Sequence, residues 1–225
     1  RDFLKHFFVE DQTWEGYASL IRDTYLKPLF AETKLTNGIG DAAQWYSMLS
    51  PSAVQALKDR VDLEFALANE THFSQDAAVS LDIFVKNVDA LVVKVYELNS
   101  LNYFLDQKRE LNTDLKLDGL IANEEAEHDY DATSIRRTKR TFTFDSLKGQ
   151  RGAWVIEFIG NGMSSRALVQ KGRLQYLAKT TGAGTFVTVL DENNDLAKKP
   201  AVWFGGRKYT PSDKGIIALP FSNQP

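Results

Sequence analysis

The stretch VSLDIFVKNVDALVVKVYEL, from Val79 to Leu98, decides the fold that the sequence predicts. Apolar residues alternate with mostly polar ones on both sides of Asn87 to Asp89, which is the period of a half-buried strand. Asn and Asp tolerate turn geometry, so the pattern predicts an antiparallel hairpin with one face in the core of a β-sandwich. The side chains that we expect to be buried in this hairpin are Leu81, Ile83, Val93 and Val95.

The composition sets limits on the class of protein. The chain has 225 residues, of which 43% are hydrophobic and 25% charged, as in ordinary globular proteins. A net charge of −3 gives no global attraction to nucleic acid or acidic membranes, and no apolar run approaches the ~20 residues that span a bilayer. The absence of Cys excludes disulfides, thiolate zinc sites and Cys nucleophiles. Because the chain opens without Met and stops in loop-like sequence at Ser222 to Pro225, we expect a piece of a longer protein.

Residues 1–60 are predicted to form a helical N-terminal segment. Its first apolar residues follow the spacing of one helical face: Trp14, Tyr17, Ala18, Ile21 and Tyr25. This pattern predicts a helix that ends at Lys27-Pro28. The segment Lys34 to Gly40 (KLTNGIG) is typical of a turn. Asp41 is a candidate cap for a short helix, and Ser50-Pro51 is a strong start signal for another.

From residue 61 onward the sequence predicts strands and turns. Residues 61–171 are expected to form one β-sandwich, while residues 172–225 form a second sandwich-like unit that we expect to be truncated. The predicted fold class is therefore mainly β, with immunoglobulin-like or macroglobulin-like β-sandwiches after an α-helical segment. Residues 99–117 carry no pattern that assigns them.

Two segments carry a resemblance to a known family. The pattern from Leu81 to Asn99, a strand, Lys-Asn-Val, and a strand ending in Val-Tyr-Glu-Leu-Asn, resembles the macroglobulin-type β-sandwich domains of alpha-2-macroglobulin-like proteins. The segment from Val187 to Leu219 resembles the carrier-type sandwich modules of the same large proteins, through Asp191, Ala201-Val202, Tyr209 and Gly215-Ile216-Ile217. The resemblance implies a modular parent protein at the cell surface or in the periplasm. It carries over no active residue, because the family's Cys-Gln thioester needs a Cys.

No motif for catalysis or metal binding is complete in this sequence. His6, His72 and His128 stand at no metal-ligand spacing, and no nucleophile-elbow motif accompanies them. The stretch Asp114 to Glu125 has the most calcium-like spacing, through Asp114, Asp118, Gly119 and Glu125, but Lys116 brings a positive charge to the third ligand position. We therefore expect no catalytic residue, no metal and no cofactor.

The candidate binding surface consists of basic and aromatic residues. The run RRTKRTFTF brings Arg136, Arg137, Lys139 and Arg140 into one strand, where their charges alternate between two faces and pairing with nearby acidic residues is the favoured interpretation. Trp203-Phe204 forms an aromatic pair that suggests either core packing or a carbohydrate contact. We take Trp203, Phe204, Arg136, Arg137 and Lys139 as the candidate surface.

The function that the sequence favours is that of a non-catalytic structural or protein-binding module in a larger multidomain protein. Its expected partners are other domains of the parent chain or another protein, with neither nucleic acid nor membrane insertion. The alternative is a carbohydrate- or peptide-binding sandwich module. An enzyme with a dispersed site is the least favoured interpretation.

Overall fold

The computed structural model describes residues 1–117 and 119–221. Asp118, one of the calcium-like positions, and the loop-like end at residues 222–225 lie outside the described residues. The chain divides into two compact units. The first comprises Arg1–Glu70, Ser80–Thr143 and Trp154–Leu168, and the second comprises Thr71–Val79, Phe144–Ala153 and the residues from Val169 onward. The boundaries expected from the sequence, after residues 60 and 171, stay predictions.

The N-terminal segment of the first unit is helical, as expected. The described residues contain five α-helices, which are α1 (Asp2–Phe8), α2 (Asp23–Asn37), α3 (Ala42–Ser47), α4 (Pro51–Asp59) and α5 (Ser100–Gln107). The Asp41 side chain accepts a hydrogen bond from the backbone N–H of Ala43, and that of Ser50 accepts one from Ala53, so both predicted helix starts are confirmed. Phe8, Phe30 and Trp45 form the centre of the helical core with edge-to-face rings, and Ile135 packs into the same core.

The predicted first helix is wrong in its position. Only a three-residue 3₁₀ helix, Glu15–Tyr17, forms there, and α2 begins at Asp23 and runs through Pro28 to Asn37. Proline costs about 3 kcal/mol inside a helix, but α2 buries Leu26 and Phe30 completely, and that burial outweighs the cost. The predicted turn from Lys34 to Gly40 therefore begins only at Gly38, whose left-handed backbone ends the helix.

The rest of the described chain is mainly β. Its thirteen strands are β1 (Asp62–Phe65), β2 (His72–Phe73), β3 (Val79–Lys86), β4 (Ala90–Leu98), β5 (Glu124–Asp129), β6 (Arg137–Phe144), β7 (Gly152–Gly160), β8 (Met163–Lys171), β9 (Gln175–Thr181), β10 (Gly184–Leu190), β11 (Val202–Phe204), β12 (Arg207–Tyr209) and β13 (Ile216–Leu219).

Two sheets form the sandwich of the first unit. One has the strand order β1-β3-β6, and the other runs β8-β7-β4-β5. Phe158 of β7 contacts Phe65 of β1 and Phe142 of β6 with ring centroids 5.3 and 5.0 Å apart, so the two sheets face each other across aromatic side chains.

The predicted hairpin between β3 and β4 is wrong in its pairing. Both strands exist, and Leu81, Ile83, Val93 and Val95 are buried as predicted. The strands belong to different sheets, however, so residues 87–89 connect the two layers of the sandwich. Alternation shows which side chains face the core, but it does not show which backbone each strand pairs with.

The second unit has its own small sheet. Strands β13, β10 and β9 are antiparallel neighbours in that order, and β11 pairs with β12. A satellite core of Val187, Val189, Ile217 and Leu219 lies on this sheet. In addition, β2 pairs in parallel with the end of β8, His72 with Gln170 and Phe73 with Lys171. Among the residues described in both units, no helix is long and apolar enough to cross a membrane.

Candidate functional site

The basic strand β6 and its neighbour Arg136 do not form one uniform charged surface. Arg137 Nη2 lies 2.7 Å from Glu64 Oε2, and its guanidinium stacks 3.8 Å from the centre of the Phe84 ring. Lys139 Nζ lies 2.6 Å from Asp82 Oδ2, and this contact lowers the pKa of the Asp82 carboxyl. These two cations of the predicted surface are therefore paired within the first unit, with Glu64 of β1 and Asp82 of β3.

Arg136 and Arg140 have different surroundings from these paired residues. Arg136 is exposed and precedes β6, and its guanidinium occupies the space where a side chain on Gly38 would begin. Gly38 ends α2, so Arg136 lies at the negative end of the helix dipole. The Arg140 guanidinium lies 4.2 Å from the centre of the Tyr130 ring, and its buried Nε has no hydrogen-bond partner among the described residues. Neither arginine has an acidic partner within 4 Å in the described part of the chain.

These two arginines belong to a cleft with two lobes in the first unit, which we name the cationic cleft. The first lobe is a cavity of about 380 Å³ between the end of α2, α3, α4 and the segment before β6, and it is lined by Lys34, Leu35, Gly38, Ile39, Gly40, Ala42, Trp45, Tyr46, Lys58, Thr133, Ser134, Ile135 and Arg136. The second is a narrow cavity of about 10 Å³, lined by Val85, Lys86, Asn87, Val88, Tyr130, Ala132, Arg136, Thr138 and Arg140. Arg136 lines both lobes.

Local structure fixes the walls of the first lobe. The Trp45 indole N–H donates to the Ile39 carbonyl across the turn that follows α2, at 2.6 Å, and this holds the ring against Gly40. Lys34 is buried, and its ammonium donates to the Val9 carbonyl at 3.0 Å, so only its stem is available to the lobe. Burial lowers the pKa of Lys34, against the opposing charge of Asp11. Lys58 stands exposed in the last turn of α4.

The second lobe has a buried cation at its base. Lys86 is 1% exposed, and its ammonium donates to the Arg60 carbonyl. Burial lowers the pKa of Lys86, while the charges of Asp62 and Glu32 oppose that shift. The lining cations whose side chains donate no hydrogen bond to another described residue are therefore Lys58, Arg136 and Arg140.

The aromatic half of the predicted surface lies in the second unit. Trp203, on β11, is 45% exposed, whereas Phe204 packs against the satellite core. The structure thus assigns Trp203 and Phe204 to one unit and Arg136, Arg137 and Lys139 to the other. Lys58 was missed by sequence reasoning, because only the fold brings α4 beside the segment before β6.

The histidine and acidic side chains of the described residues are not arranged as a metal site. Across residues 1–117 and 119–221, no three His, Asp or Glu side chains are grouped so that they could hold a metal ion. His128 contacts Phe142 edge-to-face with ring centroids 5.1 Å apart, and His6 contacts Phe7 in the same way. These two imidazoles therefore contact aromatic rings.

Two family models and one curated relative that match this chain carry the same protein's description. Residues 1–61 match the family model described as the Actin-binding protein F N-terminal domain, and residues 91–172 match the AbpF first immunoglobulin-like domain. The chain is 37% identical over 222 residues to "Actin-binding protein F" of Dictyostelium discoideum. That alignment covers 98% of this chain but 9% of the relative, so the chain spans a small part of the relative's length.

Two solved structures of bacterial alpha-2-macroglobulins are similar in part. The Escherichia coli protein, spanning domains MG0-NIE-MG1, is 14% identical with a TM-score of 0.45, and the match covers 73% of this chain and 58% of that one. The Salmonella protein is 15% identical with a TM-score of 0.42, and the match covers 73% and 11% of the two chains. Because both TM-scores are below 0.5, the immunoglobulin-like assignment rests on the family match and on the strands themselves. The predicted fold class is confirmed: a mainly β protein with an immunoglobulin-like β-sandwich that follows a helical N-terminal segment.

Proposed function

We propose that this chain is a non-catalytic protein-binding module and that actin is its partner. The observation that carries the proposal is the similarity, over 98% of the chain, to a protein named Actin-binding protein F. The alignment covers only 9% of that protein, so the proposal concerns this module and not the whole activity of the relative.

The surface of the first unit supports a binding role. Helix α5 exposes Leu101, Phe104 and Leu105, which follow the spacing of one helical face. Exposed apolar side chains in one group are typical of protein-binding surfaces. The cationic cleft adds charges that nearby acidic residues do not neutralise, and such charges steer a protein partner and fix its orientation.

Co-sedimentation with actin filaments tests the proposal. The full 225-residue chain is incubated with increasing filament concentrations and centrifuged, and we expect it to enter the pellet in a saturable way. Binding should weaken as salt rises from about 50 to 300 mM, because exposed charges are screened over about a Debye length. A chain that stays in the supernatant at every filament concentration, while correctly folded, would contradict the proposal. A parallel spin without filaments controls for self-aggregation.

A second candidate is the carbohydrate- or peptide-binding module. It is supported by Trp203, which is 45% exposed, and by a cavity of about 420 Å³ in the second unit with mostly apolar walls that include Tyr176 and Val202. This function would be favoured over the first by two results together. The chain would bind an oligosaccharide and lose that binding on Trp203→Ala, and it would not pellet with actin filaments.

A further inference from the structure

We infer that the cationic cleft binds an acidic segment of the protein partner, whose Asp or Glu side chains reach Lys58, Arg136 and Arg140. The inference rests on the proposed function in one respect, which is that the partner is a protein. It adds the surface that is used and the chemistry that is recognised there.

The charge of the lining is the first argument. Every charged residue that lines either lobe is a cation, in a chain whose net charge is −3. Asp59, Asp89 and Asp131 neighbour lining residues in sequence but do not line the lobes; the Asp59 carboxylate accepts a hydrogen bond from Gln55. A local field of one sign in a cleft favours a ligand of opposite charge.

These cations are not already neutralised by acidic residues in the described part of the chain. Lys58 and Arg136 form no ion pair with any described residue, in contrast to Arg137 and Lys139 close by. The buried Nε of Arg140 lacks a hydrogen-bond partner among the described residues, and leaving a buried donor unpaired is costly.

The shape of the cleft also favours an acidic segment of a protein. The two lobes share Arg136 and hold Lys58 and Arg140 on different walls, so the cations are spread over two cavities, which suits a segment with several separate carboxylates better than one compact anion. Trp45, Tyr46 and Ile39 add apolar wall to the first lobe, so the acidic segment should also carry apolar or aromatic residues.

Single substitutions test the inference in the full chain. Lys58→Gln and Arg136→Gln each remove one accessible cation, and we expect each to weaken the Kd for actin filaments by about three- to tenfold. Lys179→Gln is the matched control, because Lys179 is an exposed cation on β9 in the second unit, and it should leave the Kd unchanged. Thermal unfolding checks that each variant is folded. Lys58 contacts no acidic partner, so its substitution stays informative if Arg136→Gln disturbs the end of α2.

A peptide of six glutamates separates this inference from the proposed function. We expect it to bind the wild-type chain and to change the fluorescence of Trp45, with binding lost in Lys58→Gln and absent for a peptide of six glutamines. If the chain does not pellet with actin but binds hexaglutamate in this way, the proposed function fails and the acidic-segment site stands. The inference is overturned if both cleft variants bind filaments as wild type does. It is also overturned if tripolyphosphate binds the cleft and hexaglutamate does not, which would identify a phosphate site.

Discussion

At the scale of single residues, the partners of each charge decide what that charge does. Arg137 and Lys139 look equivalent to Arg136 in the sequence, yet Glu64 and Asp82 neutralise the first two. The Arg136 guanidinium lies instead against Gly38. The left-handed backbone of Gly38 and this guanidinium both leave little room for a side chain at position 38. The sequence predicts a basic strand. The contacts in the folded unit show which of its basic side chains form ion pairs and which have no acidic partner among the described residues.

Glu192 in the second unit gives a prediction about pH. Its carboxylate accepts a hydrogen bond from the Gln75 backbone N–H at 3.1 Å and lies 2.6 Å from Arg151 Nη2. Hydrogen bonds lower the pKa of Glu192 from 4.5 to about 2, although burial opposes the shift. The largest contribution comes from the backbone N–H of Glu192 itself, and the backbone N–H of Gln75 and the Arg151 side chain contribute less. Because the folded state holds the lower pKa, the stabilisation is present above pH 4.5 and is lost as the pH falls toward 2.

Glu192→Gln should therefore destabilise the chain by about 1–3 kcal/mol at pH 7, and the difference from wild type should shrink between pH 4.5 and pH 2. Urea unfolding at a series of pH values measures this. Glu97→Gln is the control, since Glu97 is exposed and forms no ion pair with a described residue. A Glu192 effect that is constant with pH would contradict the role of its charge.

At the scale of elements, burial and pairing are separate properties of a strand. The alternation in β3 and β4 predicts their buried faces correctly, because the side-chain period of a strand is 2. Their backbones pair with β1 and β6 in one case and with β5 and β7 in the other. Likewise, Pro28 predicts a helix end from local preference, but the buried face of α2 carries the helix past it.

Ile83→Ala tests the assignment of β3 to the core. Ile83 is completely buried, so its truncation should cost about 2–5 kcal/mol through lost burial and the cavity that remains. The exposed Ser80 on the same strand is the control, and Ser80→Ala should change the free energy of unfolding by less than about 0.5 kcal/mol. Reversible urea unfolding of both variants provides the measurement, and equal stability would show that β3 is misassigned.

At the scale of the first unit, the helical segment and the sandwich share a core. Ile135, just before β6, is buried among Phe30, Trp45 and other residues of the helices. Glu32 of α2 accepts hydrogen bonds from Lys5 and Arg60, and Arg60 also pairs with Asp62 of β1. Burial raises the pKa of Glu32, but these cations outweigh it and lower the pKa overall. The contacts join the helices to the first strand.

A chain that begins at residue 61 should therefore fold poorly. Without the helices, Ile135 loses its core neighbours and the Asp62 carboxylate loses Arg60, and we expect the shortened chain to bind the dye ANS and to unfold without cooperativity. The full 225-residue chain is the control. A shortened chain that is monomeric, cooperative and as stable as the full one would show that residues 1–60 are a separate module, and would contradict the shared core.

The sequence by itself determined the β-sandwich class, the starts of α3 and α4, and the buried faces of β3 and β4. Side-chain period and capping chemistry act over a few residues, so they are legible in the chain. Only the tertiary structure decided that β3 and β4 lie in different sheets and that α2 continues through Pro28. It alone brings Lys58 of α4 beside Arg136, because these residues are far apart in the chain and meet only when the helical core closes around Ile135.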